Sequence, residues 1–154
     1  MKKVSMISEK LFFDVLIICL ISYIYFILLP VNELTLTLGT ILCILYFGYN
    51  FYMGYRYNLS LLEAIVVGIS GCGLGIFLAF FAIYSQFILN DPQFAIFLIS
   101  PYFMPTFSIM KIFSIPASLN YSFILMIINI LLVVIGSINR KIMSKFLSIF
   151  NNDK

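Results

Sequence analysis

Long apolar runs separated by short polar breaks set the organisation of this chain. Four runs stand out: Leu11–Leu29, Leu34–Tyr55, Leu61–Leu89 and Leu119–Ile138. Each comes close to or exceeds the roughly 20 apolar residues that carry an α-helix across a hydrocarbon core of about 30 Å. The breaks are made of turn formers and polar residues: Pro30-Val31-Asn32-Glu33, Arg56-Tyr57-Asn58, Asn90-Asp91-Pro92-Gln93 and Asn139-Arg140-Lys141. The pattern predicts an all-α integral membrane protein with four transmembrane helices, organised as one polytopic domain over residues 1–154. The third run is the longest. Its 29 residues would extend about 43 Å as a straight helix, so it must tilt, project from the lipid or bend near its glycines.

A fifth apolar stretch, Phe94–Ile115, is cut by Pro101 and Pro105, followed by Pro116 and interrupted by Lys111. Prolines four residues apart argue against a straight span, although membrane helices tolerate some. The basic residues decide how to count it. With four spans, Lys2, Lys3, Lys10, Arg56, Arg140, Lys141, Lys145 and Lys154 share one side and Lys111 alone takes the other. A fifth span would divide the nine basic residues five to four. The positive-inside rule favours the first arrangement. It places both termini in the cytoplasm and makes 94–115 a re-entrant or interfacial element over the outer helix ends. Beyond Arg140, residues 140–150 form an amphipathic, mildly basic pattern suited to the anionic inner leaflet, with Arg140, Lys141 and Lys145 at the membrane surface.

Composition sharpens this reading. The chain is 63% hydrophobic and 10% charged, against about 45–50% and about 25% in soluble domains. A soluble fold of 154 residues could not hide that much apolar surface. The first run exceeds the 7–15 residues of a signal-peptide core and lacks an Ala-x-Ala site, so it reads as an anchor. Histidine is absent, which removes the commonest general base and metal ligand. Cys19, Cys43 and Cys72 sit singly in apolar runs, as packing residues do. No metal or other cofactor is expected, and a single Arg among the Tyr46–Tyr57 aromatics is too little charge for nucleic-acid binding. Those tyrosines read instead as an interfacial belt.

The candidate functional residues are few. Gly68, Gly71 and Gly75, with Ala64, Ala79 and Ala82, line up small residues on the third helix, which allows close helix approach. That approach is to another helix of the same chain or to a second copy, the former being favoured. Asn129 lies mid-span, where its amide must find a partner across helices. Asp14 and Glu63 are the ionisable residues within spans and so the candidates for ion or solute coupling. Both lie near the cytoplasmic ends, where Lys10 and the helix dipole supply ordinary partners. No nucleophile motif or carboxylate pair supports an enzyme. The expected function is that of a non-catalytic subunit or accessory protein working through helix packing. Its partners are the lipid bilayer and another membrane protein or a second copy of itself. The alternative is a small oligomeric transporter or channel.

Overall fold

The computed structural model describes residues 2–152, with side chains as far as Ser144. The described residues are helical throughout and contain no strand. The elements are α1 (Lys2–Leu28), α2 (Glu33–Arg56), α3 (Leu61–Gly71), α4 (Gly73–Phe87), α5 (Pro92–Phe103), a 3-10 turn (Met104–Thr106), α6 (Phe107–Ile112) and α7 (Leu119–Asn152).

Four helical stretches are long and apolar enough to cross a membrane: Lys2–Leu28, Glu33–Arg56, Pro92–Ile112 and Leu119–Ser144. They are not the expected four. The third apolar run is broken at Cys72, and α3 and α4 meet there at a bend of 55°. Gly71 and Gly73 flank the break, and the Cys72 N–H is shared between the carbonyls of Gly68 and Ile69 at 3.1 and 3.0 Å. Conversely, 92–112 stays helical through its prolines and is itself long and apolar enough to cross a membrane. Proline at 101 cannot donate to the Phe97 carbonyl, and the Ser100 hydroxyl takes that acceptor at 2.8 Å. Pro105 opens the 3-10 turn, where Thr106 Oγ1 bonds the Phe103 carbonyl at 2.8 Å. At Pro101, then, a neighbouring hydroxyl replaces the bond that proline removes.

The contacts at the helix ends define the topology. At one end, Val4 and Ser5 of α1 border a cleft with Leu62 and Glu63 of α3. At that same end Ser137 of α7 donates to the Leu59 carbonyl at 2.8 Å, and Arg140 donates to the last carbonyls of α2, those of Tyr55 and Arg56. At the opposite end, the Tyr25 hydroxyl donates to the Thr35 carbonyl at 3.0 Å, and Phe26 packs on Phe107. Tyr121, near the start of α7, donates to Thr106 at 2.9 Å. The chain therefore rises through α1, descends through α2 and descends again through α7. Residues 61–112 supply one net ascent between them. α3 makes its first part and α6 its last, with α4 and α5 inserted between as a hairpin that packs on itself and on α1 and α7. Asn90 turns that hairpin at φ 54°, and Asp91 caps α5 by accepting from the Phe94 N–H at 2.9 Å.

α7 runs as one helix from Leu119 to Asn152, with no turn before the expected surface helix at 140–150. The tail is a continuation of α7. Lys145 and the apolar arc beyond it lie outside the described side chains.

Interior faces are marked by small and polar residues more than by hydrophobicity. α1 buries Ile7, Leu11, Val15, Cys19, Ser22 and Phe26 at steps of three and four, while Ile17, Leu20, Ile21 and Ile24 face outward. The closest approach joins α2 and α7. A Cβ on Gly54 would strike the Val133 carbonyl, and one on Gly136 would strike that of Phe51. Gly48, on the same helix α2, has nothing within 4 Å of that position. Gly54→Ala should therefore destabilise the detergent-solubilised protein by roughly 1–3 kcal/mol, the usual cost of overpacking. Gly48→Ala should be neutral or stabilising by up to about 1 kcal/mol. Unfolding in a denaturing-detergent titration measures both; equal effects at the two sites would contradict this packing.

Candidate functional site

The polar residues of the interior converge beside the break in the third run. Asn129 sits in the middle of the apolar run Leu119–Ile138 of α7 and is 2% exposed. Its Nδ2 donates to the Tyr46 hydroxyl on α2 at 2.6 Å and to the Tyr102 hydroxyl on α5 at 3.0 Å. The Tyr46 carbonyl accepts from Asn50 at 2.9 Å. Cys72, at the break, donates to the Met126 carbonyl one turn before Asn129, at 3.4 Å, and Cys19 of α1 donates to the Tyr102 carbonyl at 3.7 Å. Tyr46, Tyr102, Cys19 and Cys72 are completely buried. Asn129 Oδ1 has no partner, which leaves one edge of the amide unpaired in the middle of the bundle. Phenol, amide and thiol are all neutral near pH 7. This cluster ties four helices and the break together by hydrogen bonds without bringing a charge inside.

The tyrosines expected to form a surface belt divide between three environments. Tyr46 is in the core. Tyr49 donates its hydroxyl to Asp14 Oδ2. Tyr52 and Tyr57 hold the Arg56 guanidinium over their rings at 5.9 and 5.6 Å, a cation–π arrangement at the end where the basic residues gather.

Asp14 lines a cleft of about 410 Å³ with Lys10, Ile17, Ile18 and Tyr49. Its hydrogen-bond donor is this phenol on α2 rather than the lysine one turn before it. Glu63 accepts from the Ser60 N–H at 2.7 Å, and its own N–H donates to the Ser60 hydroxyl at 3.3 Å. That is a capping box on α3. Asp14 is bonded across to α2 and Glu63 within its own helix cap, so the two carboxylates do not share a site.

The small residues are spent inside the chain. A Cβ on Gly68 would come within 3.0 Å of the Ile130 backbone, one on Gly71 within 2.8 Å of Leu11, and one on Gly75 within 2.8 Å of the Tyr102 ring. Ala79 is buried on the face of α4 that carries Gly75 and Ala82. These glycines pack against α7, α1 and α5 of the same chain. Arg140 closes the end of α2 as described, while Lys141 is exposed. Among the described residues no group of three or more His, Cys, Asp or Glu is placed to hold a metal ion. Comparisons with protein-family models, curated proteins and solved structures found no match.

Sequence reasoning singled out Asn129 but missed Tyr46 and Tyr102 as its partners, and missed Gly54 and Gly136 altogether. The spacing Tyr46–Asn50–Met53–Gly54 follows the buried face of α2 and was the available signal.

If Glu63 is a capping residue, Glu63→Gln should leave stability within about 0.5 kcal/mol, because glutamine completes the same box. Ser60→Ala should cost about 1 kcal/mol. Parallel unfolding titrations compare the two, and a loss at Glu63→Gln equal to that at Ser60→Ala would contradict the assignment.

Proposed function

We propose that this chain is a multi-pass protein of the cell membrane, crossing the bilayer four times net with both termini in the cytoplasm. We further propose that it acts without catalysis, as a subunit or accessory factor of a larger membrane assembly. The orientation is supported by the charges: Lys2, Lys3, Arg56, Arg140 and Lys141 belong to one end of the bundle and Lys111 to the other, as the positive-inside rule requires.

One contrast on the outer surface carries the functional reading. The outward residues of α1, α2 and α7 are mostly aliphatic, as in Ile17, Leu20, Ile21, Ile41, Ile44, Ile127 and Leu131. Those of the α4–α5 hairpin are mostly aromatic: Phe77, Phe80, Phe81, Tyr84, Phe87 and Phe97. Lipid tails are satisfied by any apolar side chain, so they do not ask for this segregation. A protein surface does, because rings give large contact area and directional packing for few rotatable bonds. The occupant that fits is a transmembrane helix of another membrane protein.

A tagged copy extracted from native membranes in mild detergent should co-purify with a membrane protein in near-stoichiometric amount. The double substitution Phe80→Ala and Phe87→Ala should abolish that co-purification without lowering thermal stability. A wild-type chain that elutes alone would contradict the reading. In a Cys-free background, Ser114→Cys should react with a membrane-impermeant maleimide added to intact cells, and Ser144→Cys should not; the reverse pattern would overturn the orientation.

A second reading, a small-solute transporter or channel, draws on the break at Cys72 beside an incompletely paired amide, since interrupted helices commonly line solute sites. Solute flux by the purified chain alone in vesicles, lost in Asp14→Asn or Glu63→Gln, would favour it over the subunit reading.

A further inference from the structure

We infer that the cleft between α1 and α2 at the basic end of the bundle binds the headgroup of an anionic phospholipid of the inner leaflet. The cleft, of about 410 Å³, is lined by Lys10, Asp14, Ile17 and Ile18 of α1 and by Tyr49 of α2. It opens because α1 and α2 touch at few places, whereas α2 lies close against α7 along its length. Its lining is graded. Asp14 and Tyr49 meet through the hydrogen bond described above. Lys10 stands one turn nearer the basic end, about 6 Å along α1, and Arg56 two turns beyond Tyr49, about 10 Å along α2. Ile17 and Ile18 lie on the other side of Asp14, and Ile21 is exposed one turn further on. Cations at the boundary followed by isoleucines towards the bilayer centre match the order in which a phospholipid presents its phosphate and its acyl chains.

Both cations are open to a ligand. Asp14 takes its hydrogen bond from Tyr49, and Lys10 is exposed. Arg56 is exposed as well, with the rings of Tyr52 and Tyr57 at 5.9 and 5.6 Å from its guanidinium. An aromatic ring covers the face of a guanidinium and leaves the N–H donors, which lie in the plane, pointing outward. A row of rings joins this cation to the cleft, since Tyr52 packs on Tyr49 with centroids 6.5 Å apart. A fixed guanidinium and a lysine ammonium are the groups that bind phosphate oxygens, and tyrosines belong at headgroup depth.

The charge balance selects the headgroup. Lys10 and Arg56 together outweigh Asp14 by a single positive charge near pH 7, and one phosphodiester neutralises it. Phosphatidylcholine or phosphatidylethanolamine brings a second cation with its phosphate and restores the excess. Phosphatidylglycerol does not, so it is the lipid that fits. Basic pockets between helices on the cytoplasmic side are the usual setting for anionic headgroups. The inference rests on the orientation proposed above only for which leaflet supplies the lipid.

The chain contains no tryptophan, so a single introduced one reports which lipid lies beside it. Ile21→Trp places it on α1 next to the cleft, and Ile127→Trp on α7 is the control; the two positions are similarly exposed, at 54% and 58%. Each purified protein is reconstituted in vesicles of phosphatidylcholine, phosphatidylethanolamine and phosphatidylglycerol in fixed proportion. One lipid at a time carries brominated acyl chains, and quenching of the tryptophan gives the local preference. Both leaflets have the same composition, so the result is independent of orientation and stands apart from the maleimide test above. The site predicts a preference for phosphatidylglycerol about fivefold greater at Ile21→Trp than at Ile127→Trp, the effect of about one basic side chain on an anionic headgroup. Lys10→Gln together with Arg56→Gln should abolish that difference. Equal preference at the two tryptophans overturns the site, as does a difference that survives the double substitution. Enrichment of phosphatidylethanolamine rather than phosphatidylglycerol at Ile21→Trp also overturns it, because an ammonium would then be bound at Asp14.

Discussion

An amide buried in the middle of an apolar bundle must find its partners inside the protein, and Asn129 takes them from two different helices. Neither bond is local. Tyr46 lies 83 residues away and Tyr102 27 residues away, so the pair is made only when α2, α5 and α7 are in one register. In a lipid-compatible interior no water competes for these groups, and a hydroxyl left without its partner would be stranded. The same requirement explains the local devices along the chain. Ser100 serves the Phe97 carbonyl that Pro101 abandons, Thr106 serves the Phe103 carbonyl, and Arg140 serves the last carbonyls of α2. Asn32 and Ser60 cap the helices that follow the short loops.

Satisfying polar groups internally also decides which faces turn inward. The usual hydrophobic drive cannot sort residues when both sides of a helix are apolar. What sorts them here is size and hydrogen bonding. Thr35, Asn50, Ser122, Asn129 and Ser137 are all buried, while most isoleucines of α1, α2 and α7 face out. Glycine completes the pattern by letting backbones touch, at Gly54 and Gly136 between α2 and α7 and at Gly68 between α3 and α7.

The class of fold and the position of most helices were legible in the sequence because apolar length is a strong signal. α1, α2 and α7 begin and end near the breaks read from Pro30–Glu33, Arg56–Asn58 and the Pro116 region. The third run was legible as too long for one straight helix, and a bend near its glycines is among the accommodations expected and the one found, but where it would break into two helices was not. Its hydropathy is unbroken across Gly71-Cys72-Gly73, and glycine in a membrane helix is compatible with a straight packing face as well as with a bend. The stretch around Pro101 stays helical where its prolines argued against a straight span, since the Ser100 hydroxyl takes the Phe97 carbonyl that Pro101 leaves. Its helical course and the bend at Cys72 together leave one net traverse of the bundle between α2 and α7, so the start of α1 and the Arg140 end of α7 lie at the same end of the bundle. Asn129 was conspicuous as a mid-span amide. Its partners were hidden among ten tyrosines, most of which looked interfacial.

The central claim is that the contact between Asn129 and Tyr102 is a real energetic link between α7 and the hairpin, rather than two polar groups that happen to be neighbours. A double-mutant cycle with Asn129→Ala and Tyr102→Phe, read by unfolding of the solubilised protein, measures that link most directly. The account predicts a coupling of about 0.5–1.5 kcal/mol, so that the double substitution costs less than the sum of the single ones. Strict additivity, with each substitution costing the same whether or not the other is present, would contradict it.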